Sequence, residues 1–240
     1  MTRVKICGIT NVDDARCAAE AGADFLGFVF YPPSPRCVTP ERAAMIVRAI
    51  RRERGAEAPR FVGVFVNAPA TGVRAILDGV GLDLAQLHGD EPPAEIRALH
   101  PRAFKALRPQ TRAEAEAAVA AYGDAVPPAG AIAAPQFLVD AYHPAQFGGT
   151  GIPADLVVAR SLAQRFRLLL AGGLTPETVG AAIAVVGPWG VDVSSGVERA
   201  KGVKDHARVR AFIQAVRAAD AAGASGPEIV EDPRIQQGER

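Results

Sequence analysis

Five kinds of reactive or polar group fall at the ends of apolar runs in this 240-residue chain: a thiol, a carboxylate, a guanidinium, an imidazole and glycine-serine turns. Cys7 closes the run Val4-Lys5-Ile6-Cys7, and in an extended strand Lys5 and Cys7 point the same way about 7 Å apart. Inside a closed parallel barrel, an ammonium and a thiol are odd packing choices but ordinary site choices. The plain alternative is a small buried cysteine with a lysine snorkelling to an edge. Asp140 ends Phe137-Leu138-Val139, and Arg36 sits in the proline-stiffened loop Tyr31 to Val38. His88 follows Gln86-Leu87, as a polar lining residue or as a histidine tied to a backbone carbonyl. Gly172-Gly173 and Ser194-Ser195-Gly196 follow two further runs and offer backbone N–H groups and hydroxyls to a phosphate. Aspartate, cysteine and a phosphate cradle point to proton transfer on a sugar phosphate, with acyl or glycosyl transfer still open. No three close metal ligands stand out, so neither a metal nor another cofactor is expected.

These groups need elements to hold them, and the hydrophobic pattern supplies eight strand-helix units. Strands are expected within Val4 to Thr10 and at Asp24 to Phe30, Phe61 to Phe65, Leu82 to Leu87, Ala103 to Leu107, Phe137 to Asp140, Phe166 to Leu170 and Val191 to Val193. Lys105 weakens the fifth. Thr10 or Asn11 caps a helix from Val12 that ends at Gly22, and Thr39-Pro40-Glu41 opens a second through Arg54. Helices follow at Ala68 to Asp78, from Pro92, at Thr111 to Tyr122, from Thr175-Pro176-Glu177, and at Asp205 to Ala219. Eight such units in about 220 residues fit a closed (β/α)8 TIM barrel better than an open doubly wound sheet. The first turn also lacks the G-x-G-x-x-G of a dinucleotide site. One catalytic domain is therefore expected over residues 1–222, with a disordered tail at 223–240 that has no periodic apolar face. Gly123 to Pro135, rich in proline and small residues, reads as a surface excursion.

Composition narrows the partners. A hydrophobic fraction of 49% supplies a large core, and a net charge of +1 from scattered basic residues argues against a nucleic-acid groove. Three cysteines without a C-x-x-C pair disfavour a zinc knuckle or disulfide framework. No run is long enough to span a membrane, and no apolar leader opens the chain, so a cytoplasmic protein is expected. The pattern leaves monomer and weak homodimer both open.

The ordered set Lys5-Ile6-Cys7-Gly8-Ile9-Thr10, Ser34-Pro35-Arg36, Gln86-Leu87-His88-Gly89, Leu138-Val139-Asp140, Gly148-Gly149-Thr150-Gly151, Ala171-Gly172-Gly173-Leu174 and Asp192-Val193-Ser194-Ser195-Gly196-Val197-Glu198 resembles the phosphoribosylanthranilate isomerase family of tryptophan biosynthesis. The likeness runs from residue 2 to about 219. It implies Cys7 as general base, Asp140 as general acid, Arg36 as clamp for the anthranilate carboxylate, and the turns at Gly173 and Ser194 to Gly196 as the phosphate site. His88 would contact the substrate and Lys5 would support the thiolate. The implied substrate is a phosphorylated aminoaldose, N-(5-phosphoribosyl)anthranilate, rearranged to the aminoketose. Alternatives are another sugar-phosphate isomerase or epimerase barrel, or a non-catalytic phosphate-ligand binding barrel. Two departures from the resemblance bear on loops: Ile152 to Leu156 holds no aromatic residue where the family usually has one, and the Gly123 to Pro135 segment is longer.

Overall fold

The computed structural model describes residues 1–128, 134–140 and 154–224. Strands β1 (Arg3–Cys7), β2 (Phe25–Val29), β3 (Arg60–Phe65), β4 (Leu84–Leu87), β5 (Ala103–Leu107), β6 (Phe137–Asp140), β7 (Leu168–Ala171) and β8 (Gly190–Val193) pair in sequence order into a closed barrel. All pairings are parallel, and β8 closes on β1 with Arg3 beside Gly190 and Lys5 beside Asp192. Around it lie α1 (Val12–Glu20), α2 (Pro40–Arg54), α3 (Ala70–Val80), α4 (Pro93–Ala98), α5 (Arg112–Tyr122), α6 (Ala154–Ala163), α7 (Val179–Val186) and α8 (His206–Ala224). The eightfold barrel expected from the pattern is the architecture observed.

Local chemistry sets where the elements start. Asn11 caps α1 by accepting from the Asp14 N–H at 2.8 Å, and Thr39 caps α2 by accepting from Arg42, with Pro40 in the first turn. Boundaries differ from expectation where a run of apolar residues is shared with a helix end. Gly81, at φ +80°, and Leu82 both donate backbone hydrogen bonds to the Leu77 carbonyl, so Leu82 belongs to the end of α3 and β4 begins at Leu84. Phe166 likewise donates to Leu162 and packs edge-on against Phe137 at 5.0 Å, so β7 begins at Leu168. Thr175-Pro176-Glu177 forms a turn, with Thr178 Oγ1 taking the Thr175 N–H, and α7 starts later at Val179.

One element was not anticipated: an antiparallel ribbon of β9 (Glu198–Ala200) and β10 (Val203–Lys204) between β8 and α8, turning at Gly202 with φ +77°. Helix α8 also runs past the expected boundary, so Gly223 is helical rather than the start of a tail. The expected disordered tail from residue 225 on, the central part of the 123–135 excursion and the Gly148 to Gly151 loop with its missing aromatic lie outside the described residues.

Apolar residues form two cores. One lies between the barrel and its helices and includes Val4, Ile6, Phe28, Phe61, Phe65, Phe137 and Phe212. The other fills the lumen with Phe25, Val62, Leu84, Phe104, Leu138 and Leu169, with Trp189 packed beside Phe25. Because side chains alternate along a strand, the residue two further on from Leu84 is Gln86, and from Leu138 it is Asp140. The lumen is therefore hydrocarbon at its amino-terminal end and polar at its carboxyl-terminal rim.

Candidate active site at the barrel rim

Cys7 is 8% exposed at the end of β1. Its sulfur has room because Gly27 faces it: a Cβ there would lie 2.8 Å from Cys7 Sγ and 3.2 Å from Lys5 Cε. Below the thiol, Lys5 is fully buried and its Nζ donates to Asp192 Oδ1 at 2.9 Å. Burial opposes the Lys5 charge, but Asp192 and Cys7 outweigh it and the ammonium is held above its ordinary range. Burial also pushes the Cys7 thiol up; Lys5 works against that rise and Asp192 with it. The resting group is thus a thiol, and Lys5 is a partial counterweight. In Lys5→Met the alkylation rate of Cys7, followed by mass spectrometry against pH, is expected to shift to more alkaline pH, with severalfold slower labelling at pH 7. An unchanged profile would remove Lys5 from any role at the sulfur.

Arg36 is held from two sides. Its backbone N–H donates to Ser34 Oγ, and its Nε and Nη2 donate to the two oxygens of Glu198 at 2.8 and 2.7 Å. That fork engages two of five guanidinium N–H donors and leaves three for another acceptor. Lys204, buried in β10, donates to Glu198 Oε1 at 2.9 Å and to the Ser194 carbonyl at 3.1 Å, so the ribbon ties the β2 loop to the β8 turn. Gly8, at φ +77°, permits the approach: a Cβ there would stand 2.6 Å from Arg36 Cδ and 3.0 Å from Ser194 Oγ.

His88 sits just past β4. Its Nδ1 pairs with Gln86 Nε2 at 2.7 Å, and burial, ahead of repulsion by Arg108 and Lys5, pushes its pKa down to about 4. A neutral ring whose Nδ1 accepts from the amide carries its proton on Nε2. The turn is clamped from beneath: Glu91 accepts from the Gly89 and Asn67 N–H groups, and buried Lys105 donates to Glu91 and to the Leu87 and Gly89 carbonyls. Lys105, which looked like a flaw in the fifth strand, is a brace for the histidine turn.

Asp140 ends β6 half-buried beside Ala171 of β7. At the neighbouring rim Gly172 and Gly173 have φ of +103° and +62°, conformations that favour glycine. A Cβ on Gly196 would collide with the Leu174 carbonyl, so the β7 and β8 turns touch backbone to backbone. Ser194 Oγ is buried without a hydrogen-bond partner among the described residues.

A single cavity of about 650 Å³ brings these groups together: Cys7, Arg36, His88, Asp140, Gly173, Ser194, Ser195 and Gly196 all line it. Lys5 lies under it and reaches it through Cys7 and Asp192. Sequence reasoning assigned no role to Gln86, Asp192, Glu198 or Lys204, although Asp192 and Ser194 share strand parity and that alternation could have flagged the carboxylate. Among the described residues no cluster of three His, Cys, Asp or Glu side chains is placed to hold a metal ion, and no helix is long and apolar enough to cross a membrane.

A single-domain (β/α)8 barrel with ionisable side chains and glycine turns gathered at its carboxyl rim defines a barrel enzyme. A family model described as N-(5'phosphoribosyl)anthranilate (PRA) isomerase matches residues 4–215. The N-(5'-phosphoribosyl)anthranilate isomerase of Pseudomonas fluorescens (strain Pf0-1) is 48% identical over 219 residues, covering 90% of this chain and 98% of that protein. The crystal structure of phosphoribosyl anthranilate isomerase from Thermotoga maritima superposes with a TM-score of 0.77 at 39% identity, covering 91% of this chain and all of that one. A structure of phosphoribosyl anthranilate isomerase in complex with reduced 1-(o-carboxyphenylamino)-1-deoxyribulose 5-phosphate gives 0.75 at 38% identity, with the same coverage. The chain belongs to the N-(5'-phosphoribosyl)anthranilate isomerase family.

Proposed function

We infer that this chain performs the reaction of its family and propose that Cys7 and Asp140 divide the proton transfers between them. The protein is an isomerase of tryptophan biosynthesis, converting N-(5-phospho-β-D-ribosyl)anthranilate to 1-(2-carboxyphenylamino)-1-deoxy-D-ribulose 5-phosphate. The observation that carries the assignment is that Cys7 of β1 and Asp140 of β6 line one cavity, three strands apart around the ring, with the β7 and β8 glycine turns between them.

Asp140, as the acid, gives its proton to the furanose ring oxygen while the anthranilate nitrogen pushes its lone pair into the breaking C1–O bond. The ring opens to an iminium. That cation is the electron sink, so no cofactor is needed: Cys7 as thiolate takes the C2 proton, and the C2–H electrons move to form the enolamine. Tautomerisation then gives the ketone. The working pair holds one proton, on the carboxyl and not on the sulfur. Asp140 must therefore carry its proton at the moment the ring opens.

The β7 and β8 turns hold the phosphate through backbone N–H groups and Ser194 Oγ, whose hydroxyl has no partner among the described residues and suits an incoming anion. Val29, Tyr31, Val64 and Val66 form the less polar wall, which suits the aromatic ring, and Arg36 beside them takes its carboxylate. Arg36→Lys is expected to raise KM about 10- to 100-fold with a smaller effect on kcat, because a point charge cannot serve Glu198 and the substrate in one plane. Steady-state fluorescence of the anthranilate group reads both constants, and an unchanged KM would place the carboxylate elsewhere. We take the working unit to be a cytoplasmic monomer or weak homodimer without nucleic-acid or membrane partners; sedimentation at assay concentration tests the oligomeric state. Consumption of the aminoaldose by the purified chain is the primary test of the function.

A further inference from the structure

Two side-chain atoms on the cavity wall are buried without a partner among the described residues, Ser194 Oγ and Gln86 Oε1. The first belongs to the phosphate end. The second belongs to β4, across the ring from β8. Gln86 is 1% exposed, and its Nε2 is already spent on His88 Nδ1. A buried acceptor without a donor is costly, and one beside a ligand cavity is placed to take a donor that arrives with the ligand.

The surroundings of Gln86 identify that donor. Val64 is its register partner on β3, Val29 is in turn the partner of Val64, and both belong to the wall that suits the aromatic ring. The sugar and phosphate extend the opposite way, toward β6, β7 and β8. The group that joins ring to sugar is the secondary amine, which has one N–H. Building on the proposed function, we propose that Gln86 Oε1 accepts a hydrogen bond from the anthranilate N–H of the substrate. The bond is weak in the ground state, where the amine is neutral and conjugated with the ring. It strengthens as the nitrogen becomes an iminium, because the donor then carries positive charge. Gln86 is thus a transition-state contact in addition to the residue that sets the His88 tautomer.

The test compares wild type, Gln86→Met and Gln86→Glu. Gln86→Met keeps the length and removes the acceptor: kcat is expected to fall about 10- to 100-fold while KM moves less than about threefold. A reduced product analogue, whose nitrogen never becomes an iminium, should bind Gln86→Met within about threefold of wild type. Gln86→Glu still offers an oxygen and should keep kcat within about tenfold of wild type. A kcat for Gln86→Met within twofold of wild type would overturn the proposal, as would a loss confined to KM. Should Gln86→Met fail to fold by circular dichroism, Gln86→Glu decides: a kcat more than about tenfold below wild type would overturn the proposal. Wild type inactive on the aminoaldose would refute the assigned function itself and is distinguishable from each of these results.

Discussion

Cys7→Ala is expected to lower kcat by about 10²- to 10⁴-fold while leaving the barrel folded. The rearrangement cannot proceed past the iminium unless something removes the C2 proton, and among the described residues no other group of the β1 rim is placed to take over. Lys5 is protonated and locked to Asp192, and His88, although neutral, is on the β4 side with its Nδ1 already occupied. The structural cost should be small because Cys7 sits at the cavity end of the strand, facing Gly27 and outside both apolar clusters. Single-turnover decay of substrate fluorescence measures the chemical step, and thermal unfolding followed by circular dichroism measures the fold. A variant that retains more than about a tenth of the rate would disqualify the sulfur as the base. One that no longer folds would return it to the core.

Asp140→Asn should produce a loss of similar size by a different route. An amide keeps the shape and can still donate a hydrogen bond, but it cannot deliver a proton to the ring oxygen, so ring opening must expel an alkoxide into the cavity. KM should change little, since the phosphate turns and Arg36 retain their contacts. The product analogue, already open-chain, should bind Asp140→Asn within about threefold of wild type. The double variant Cys7→Ala with Asp140→Asn is expected to be no slower than the worse single variant by more than about tenfold, because the two groups serve one sequence of proton transfers and their effects do not add. Full additivity would mean that both groups act, independently, in one rate-limiting step.

Much of this was legible before any coordinates because two short periodicities survive in the chain. Apolar runs of strand length alternating with capped helices announce the barrel, and the side-chain alternation in Lys5-Ile6-Cys7 places lysine and thiol on one face. The ends of those runs then mark the rim, which is why Arg36, His88 and Asp140 could be picked out singly. What pairs them could not be read. Glu198 meets Arg36 across 162 positions and Asp192 meets Lys5 across 187, and nothing local in either segment encodes such a distance. Leu82 and Phe166 misled for a related reason: an apolar residue that closes a helix looks the same in sequence as one that opens a strand. Lys105 misled because a charge inside a run reads as a defect until the carbonyls it binds are seen.

The ribbon between β8 and α8 has a consequence for how the activity comes into being. Its Glu198 grips Arg36, the Gly202 carbonyl accepts from Thr10, and the Lys204 N–H reaches back to Asp14. Asp192, just before it, neutralises the ammonium under the sulfur. The seam where the ring shuts and the place where substrate would react are therefore the same region, joined by ties between the earliest and latest parts of the barrel. A nascent chain still lacking its eighth strand already possesses the thiol, the arginine and the acid, yet has neither Asp192 to pair the ammonium under the first nor Glu198 to hold the second. Closing the ring and completing the site therefore draw on the same contacts.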